Sequence, residues 1–563
     1  MFTLRQAGVG LCLRRSLAAL ALLAMSGWLV DPAFASAGED QATIAASLRN
    51  RIEVGGPISV RGLLLNRAAL AAVYEARSFA PLWQDHPEWE PALTAALASA
   101  VADGLSADRL FPAQMRKALA DPTLDSGDRE LLLSDRFLAY AAILAHGQIS
   151  PASLWSDWAL PSPRFDPVAA AVTLTSAGGP AAALQSFRPG SPDYSGLQQA
   201  LARYAGTQAA GGWPVLAATA HLKSGANGQA VIDLRQRLAT EGYLTPGQAV
   251  STTFDSDLTK AVMLFQRRHG LADDGAVGPL TLAALNVSAA ERAEQIRINL
   301  ERWREMPRLW PATRIEVSVP AQTLIYYRGG RVALSSRVIV GDPGHQTPVL
   351  AAAVERVILD PAWNIPVSII AHEIQPRLAR DPGYLARTHT IILGRSAGDP
   401  YGRDVNWNHT RVLAMGWHLR QLPGAWNSLG SVVLDMPSRF DVYLHDTPLP
   451  SLFALPQRAL SHGCIRVEQV RVLAALLLGL PELPPAGGET RAIELAAPVA
   501  VYLLYQTAFI DQEGAVEFRD DIYGRDGKLA QLLAAAGAGE PATGPAADTG
   551  CHRAVGGLAS LNP

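Results

Sequence analysis

Apolar side chains recur every three to four positions through the first third of the chain. PALTAALASAVADGL and DRELLLSDRFLAYAAILAHGQISP show the pattern, with Pro and Gly clusters between such stretches. This spacing predicts a mostly helical region over residues 36–215. Residues 216–290 read as a compact unit with two amphipathic helices, one marked by Val231, Leu234 and Leu238 and the other by Leu258, Val262 and Phe265. From residue 291 a helical lead-in, ERAEQIRINLERWREMP, gives way to two-residue alternation in RIEVSVPAQTLIYYRGGRVALSSRVIVG, which predicts a hairpin about Gly329-Gly330. Further strands are expected in VERVILDPAWNIP, RFDVYLHDTP and APVAVYLLYQTAFI, and helices between Ile370 and Leu378 and directly after Cys464. Residues 371–425 lack clear alternation and carry Trp407, Trp417 and Trp426, so an insertion covering the site is the expectation there. The whole is a multidomain α+β chain with a β-rich domain over residues 291–540.

A length of 563 residues agrees with three or four folding units. Hydrophobic residues at 49% and charged ones at 18% exclude a disordered polyelectrolyte, and a net charge of -3 leaves no footprint for nucleic acid. Residues 1–35 read as an export signal: Arg5, Arg14 and Arg15 precede an apolar run from Leu17 to Val30 that is shorter than the roughly 20 residues of a spanning helix. Ala33-Phe34-Ala35 offers a cleavage site, so cleavage after Ala35 is expected; the competing reading is a retained inner-membrane anchor, and either one exports the body. Cleavage would leave a net charge of -5, after loss of three Arg and one Asp. The Gly/Ala/Pro-rich residues 541–563 are expected to be a disordered tail.

Cysteine use narrows the chemistry. Cys12 leaves with the signal, Cys551 sits in the tail, and Cys464 lies in SHGCIRV within a well-patterned region. A Cys464–Cys551 disulfide would need an ordered tail. A catalytic cysteine reacts as a thiolate and needs a cation or base nearby. His462 is two residues away on the same turn, where its ring rarely faces the thiol. His445, at the end of the strand-like DVYL, can be delivered by a neighbouring strand and is assigned as general base and acid. His462 is left a supporting role. Gly463 permits a tight turn, and a helix beginning at Ile465 would place backbone N–H groups to lower the thiol pKa and hold an oxyanion, with the Cys464 amide as first donor. Ser461 is a candidate for capping, orienting or touching substrate; Arg466 could bind a substrate carboxylate or make a surface ion pair; Tyr443 and Asp446 complete the candidate set.

SHGCIRV preceded by YLHDTP resembles the L,D-transpeptidase catalytic domain of the YkuD-like family. VGDPGHQTPVL, DPAWNIPVSI, QLPGAWNSLG, RALSHGCIRV and FRDDIYGRDG resemble its large, multidomain, periplasmic Gram-negative branch, from about Tyr74 to Asp526. Likewise FQRRHGL followed by DDGAVGPLT resembles a three-helix peptidoglycan-binding module, through Phe265, Gln266, Gly270, Leu271, Asp274, Gly275, Val277, Gly278, Pro279 and Thr281. In that module Gly270 is expected to close a helix, and Thr281 or a neighbour to cap the next. The resemblance implies a helical scaffold, a peptidoglycan-binding module and a mixed β-rich catalytic domain. It implies Cys464 as the acylated nucleophile, His445 as its base and the Asp446 carbonyl as the group orienting that base. It further implies acyl transfer from the third residue of peptidoglycan stem peptides, diaminopimelate, with release of terminal D-Ala. The acceptor is open between a stem amine, which gives a crosslink between third residues, water, which gives an L,D-carboxypeptidase, and a lipoprotein lysine. It also implies glycan as a ligand for residues 216–290, carbapenem acylation of Cys464, and a periplasmic monomer, association with other cell-wall enzymes being open. No cofactor, metal or nucleic acid is expected. The chain departs from its relatives after the LG, where it reads SVVLDMP; Val433, Leu434 and Met436 leave substrate details open.

Two other classes fit these residues less well. A zinc amidase would need three ligands at workable spacing, whereas the chain has no HExxH and no CxxC. A noncatalytic wall-binding protein would not need both His445 and Cys464.

Overall fold

The computed structural model describes residues 32–217 and 222–538. The expected signal, apart from its last residues, and the expected tail with Cys551 lie outside them. A helix over Pro32–Glu53 runs through the proposed cleavage point. Among the described residues no helix is long and apolar enough to cross a membrane.

The first region is helical, as its periodicity requires, around a core in which the long helix Ser126–His146 is buried on most sides. One departure matters for the rest of the molecule: Trp158–Ala159 forms a short strand, β1, that leaves this region and joins the sheet of the next. Helix α1, Pro192–Ala209, carries the chain back along the same boundary.

The small unit has the expected pair of helices, α2 over Gln229–Thr240 and α3 over Ser256–Arg268, followed by α4 over Pro279–Asn286. Leu234, Leu238, Leu258, Val262 and Phe265 are fully buried between them. Gly270 takes a φ of +69° just past the end of α3, the left-handed turn that glycine permits. Thr281 does not cap α4; Gly278 holds that position without a side-chain bond, and Thr281 is buried as an acceptor for Gln266. Gln266 also donates to Asp274 Oδ1 and the Ala276 carbonyl and accepts from the Gly275 amide, at 2.8–2.9 Å. The motif residues are therefore spent on the turn that joins two helices. Helix α5, Ala289–Arg304, starts at a reciprocal cap between Ser288 and Glu291 and packs along α1.

The β-rich domain is built on a ten-stranded sheet: β1 with β2 (Arg314–Ser318), β3 (Thr323–Arg328), β4 (Arg331–Gly341), β5 (Val349–Leu359), β6 (Val432–Asp435), β7 (Leu444–His445), β8 (Ala459–Ser461), β9 (Ile465–Val467) and β10 (Arg491–Leu504). Its order is β6-β7-β9-β4-β3-β2-β10-β5-β1, with β8 on β4. β6 pairs with both β7 and the far half of β5, so the sheet closes on itself; β1 takes the near end of that same edge of β5. Gly329 and Gly330 both have positive φ, +60° and +79°, and form the predicted β3–β4 turn. Val433, Leu434 and Met436 are buried in this core, so the divergent SVVLDMP stretch fills the interior. Between β5 and β6 the chain builds a separate subunit of fold: strands Trp363–Asn364, Thr390–Leu393 and His418–Gln421 around Ile370, Leu378, Leu385, Trp407 and Leu419. It has the strands that alternation failed to reveal.

Candidate active site

Cys464 is the free cysteine among the described residues and lies half-buried between β8 and β9. The expected helix after it is corrected. Ile465–Val467 is strand β9, inserted between β7 and β4, and the helix α6 begins only at Val470. Ile465 and Val467 are β-branched and both face the core, which favours a pleated path over a helical one. No helix N-terminus therefore acts on the thiol. Burial pushes the Cys464 thiol above its ordinary pKa; the Tyr443 amide and the Arg466 charge pull it down and the Asp441 charge adds to the rise. Its sulfur lies 3.8 Å from the Asp441 carbonyl oxygen.

The loop carrying the cysteine is closed by Ser461. The Ser461 hydroxyl donates to the Cys464 carbonyl at 2.5 Å and accepts the Gly463 amide at 3.2 Å, and the residue is buried, leaving no face for a substrate. Gly463 takes a φ of +105°. Among the described residues the Cys464 amide has no acceptor.

Strand β7 lies parallel to β9, with His445 opposite Arg466. His445 is buried, and its Nδ1 donates to the Asp446 carbonyl at 2.6 Å. That bond leaves the lone pair on Nε2. Burial first, and the Arg466 charge second, push His445 down to about 4, so the imidazole is neutral near pH 7. Asp446 is committed to structure: its carboxylate accepts from the Ser431 amide and hydroxyl and from the Thr447 amide. Tyr443 is half-buried, and its carbonyl accepts from Ile465. Arg466 is half-buried and, among the described residues, has no carboxylate partner, unlike a surface ion pair.

His462 points away from the cysteine loop. Its Nε2 is 2.7 Å from Glu373 Oε1, on the turn of helix over Ile370–Ile374 in the unit between β5 and β6, and its ring lies 4.6 Å from that of His345. His345 is in turn 3.2 Å from Asp342. Asp342, His345, Glu373 and Asp441 border the site without having been singled out as site residues: Asp342 and His345 lie in the VGDPGHQTPVL segment, and no spacing rule joins that segment to Glu373 or Asp441. Among the described residues no group of His, Cys, Asp and Glu is arranged to hold a metal ion.

With this geometry in place, residues 312–499 match the family described as "L,D-transpeptidase catalytic domain". The chain carries an L,D-transpeptidase catalytic domain. Residues 68–201 match a "Scaffold domain" and residues 227–285 a "Putative peptidoglycan binding domain". A Haemophilus influenzae protein named "Putative L,D-transpeptidase" is 33% identical over 243 residues, 42% of this chain and 49% of that protein. The chain thus spans about half the length of that relative. An N-acetylmuramoyl-L-alanine amidase of Bacillus licheniformis is 34% identical over 71 residues, 13% of this chain and 20% of its own. Among solved structures, an L,D-transpeptidase from Stackebrandtia nassauensis covers 50% of this chain and 94% of its own at 14% identity with a TM-score of 0.22, and one from Xylanimonas cellulosilytica 51% and 99% at 18% with 0.18. Likenesses at that level carry no weight for the site of the L,D-transpeptidase domain.

Proposed function

We propose that this protein is a cysteine-dependent L,D-transpeptidase of the bacterial cell wall, acting in the periplasm on peptidoglycan stem peptides. The observation that carries the reading is the pairing of β7 with β9, which sets a neutral, carbonyl-oriented histidine beside the strand that follows the cysteine.

A half-buried thiol held above its ordinary pKa and a neutral imidazole both rest uncharged, so Cys464 is activated at the moment of attack rather than stored as thiolate. The thiol turns from the Asp441 carbonyl, gives its proton to His445 Nε2, and its sulfur bonds to the carbonyl carbon of the third stem residue, diaminopimelate. The oxyanion is held by the Cys464 amide, which has no acceptor among the described residues. The C–N bond to terminal D-Ala breaks as His445 returns its proton to the leaving amine, leaving a thioester. The side-chain amine of a second stem attacks that thioester and passes a proton to His445. The C–S bond breaks and the sulfur recovers the proton, joining two third residues. Arg466, without an acidic partner among the described residues, is the group that would receive a substrate carboxylate.

The test is mass spectrometry of products from a disaccharide-tetrapeptide incubated with wild type, Cys464→Ala and His445→Ala. A dimer lacking one D-Ala, absent with Cys464→Ala, is expected. Tripeptide alone would make the enzyme an L,D-carboxypeptidase. No product, together with no carbapenem adduct on Cys464, would overturn the reading in favour of a wall-binding protein.

A further inference from the structure

FRDDIYGRDG lies beyond residues 312–499, yet its side chains reach back to the loop of Cys464. Asp521 ties the segment into a tight turn: its carboxylate accepts from Tyr505 Oη at 2.5 Å and from the Arg525 and Asp526 amides at 2.8 and 2.7 Å. That turn presents Tyr523 and Arg525 to the β4–β5 connection. Tyr523 Oη donates to the Gly341 carbonyl at 2.7 Å and accepts the Thr347 amide at 3.1 Å. Thr347 Oγ1 then accepts the Gly341 amide and donates to the Gly463 carbonyl at 2.8 Å, one residue before the cysteine. Arg525, 1% exposed, donates from one guanidinium nitrogen to Gln346 Oε1 and to the Asp157 carboxylate. Asp157 belongs to the helical scaffold: it precedes β1, and its carbonyl accepts the Val349 amide.

We propose that Arg525 and Tyr523 are positioning residues through which the scaffold holds the Cys464 loop in reactive geometry. The role rests on Cys464 being the nucleophile. Three features argue against a merely packed side chain. The guanidinium sits among the rings of Trp155, Tyr505 and Tyr523, at 5.0–5.7 Å, which fixes the plane of its fork. Its Nε and Nη1 are buried without a hydrogen-bond partner among the described residues, so the group is kept at a desolvation cost to reach Asp157 and Gln346. The bond path is continuous from Asp157 to Gly463, through Arg525, the Gln346–Thr347 backbone and Thr347 Oγ1.

Tyr523→Phe removes one hydroxyl and Asp157→Asn one charge, both in the full chain, and Leu234→Ala, in the core of the three-helix unit and outside this bond path, serves as a control for general destabilisation. Two readouts are taken: turnover of the disaccharide-tetrapeptide, and peptide-resolved alkylation of Cys464 by iodoacetamide, with Cys551 as internal reference. Both site variants are expected to lose about tenfold in kcat with KM within about twofold. Both should gain about fivefold or more in Cys464 alkylation, because a loosened loop rehydrates a thiol whose pKa burial has raised. Leu234→Ala should lower the melting temperature and move neither. Cys464 alkylation within twofold of wild type in both variants would overturn the proposal. Absence of product from wild type would sink the transpeptidase reading instead, while the alkylation rates would still decide whether the network holds the loop.

Discussion

At the scale of single residues, the neutral resting pair has a consequence for pH. A histidine at its ordinary value would give an acid limb near 6.5. Burial and Arg466 hold His445 at about 4, so kcat/KM for acylation should keep its value down to about pH 5 and fall with a midpoint near 4. A midpoint above 6 would show that the imidazole is solvated. The same depression enters stability. In the unfolded chain His445 takes up a proton below about 6.5, whereas the folded protein refuses it until about 4, so stability is lost as pH falls through that window. The loss attributable to His445 is at most about 3 kcal/mol, measurable as the extra pH dependence of urea unfolding in wild type over His445→Gln. Gly463 gives a second prediction. A Cβ there would meet nothing closer than 3.6 Å, but a φ of +105° disfavours any side chain, so the cost is in the backbone alone. Gly463→Ala should destabilise by about 1–3 kcal/mol and lower activity well beyond what that loss explains, as seen by comparing melting temperature with kcat. The turn that carries Cys464 and the short strand that carries His445 were legible in the sequence because each is local text. Glu373 and His345 were not, since their place beside His462 is made only when β4, β8 and the unit between β5 and β6 fold together.

Among the elements, legibility followed length. α3 and the β3–β4 hairpin each span enough residues for a period to declare itself, and Gly329-Gly330 marks the turn between those strands. β9 has three residues, too few for alternation to outweigh the apolar run of α6 that follows, and so Ile465 was joined to the helix. β1, with two residues, exists only because β5 offers it an edge. The three-helix unit makes a sharper test of motif residues as structure. Gln266 is 1% exposed and satisfies the Gly275 amide and Thr281 as well as its own amide group. Gln266→Leu keeps the volume but leaves that amide and hydroxyl buried without partners, which should cost about 2–4 kcal/mol. Urea unfolding should show the loss, with turnover of a soluble tetrapeptide unchanged; a variant as stable as wild type would free Gln266 for a ligand.

The whole molecule is joined more tightly than a string of modules. Glu301 on α5 accepts the Gln148 and Ile149 amides, Arg304 reaches Asp103 and Tyr194, and Arg308, just beyond the helix, donates to the Leu144 carbonyl at 2.7 Å, so the end of α5 and the residues after it are built into the scaffold. Ile296, Leu300 and Trp303 on that helix share one core with Leu197 and Leu201 of α1 and with Val317 and Val354 of the sheet. A fragment of residues 291–538 would strip this face and uncover the edge of β5 that β1 covers, leaving an apolar surface next to unpaired strand amides. It would also leave Glu301, Arg304 and Arg525 without Gln148, Asp103 and Asp157. Size-exclusion chromatography of that fragment should therefore give aggregate, while residues 36–538 elute as one species and melt in one calorimetric transition shared by scaffold and catalytic domain. A monomeric fragment with full turnover would mean that the sheet closes and the Cys464 loop sets without β1 or Asp157. The scaffold would then be a spacer, and the shared core around α5 an accident of packing rather than a condition of the site.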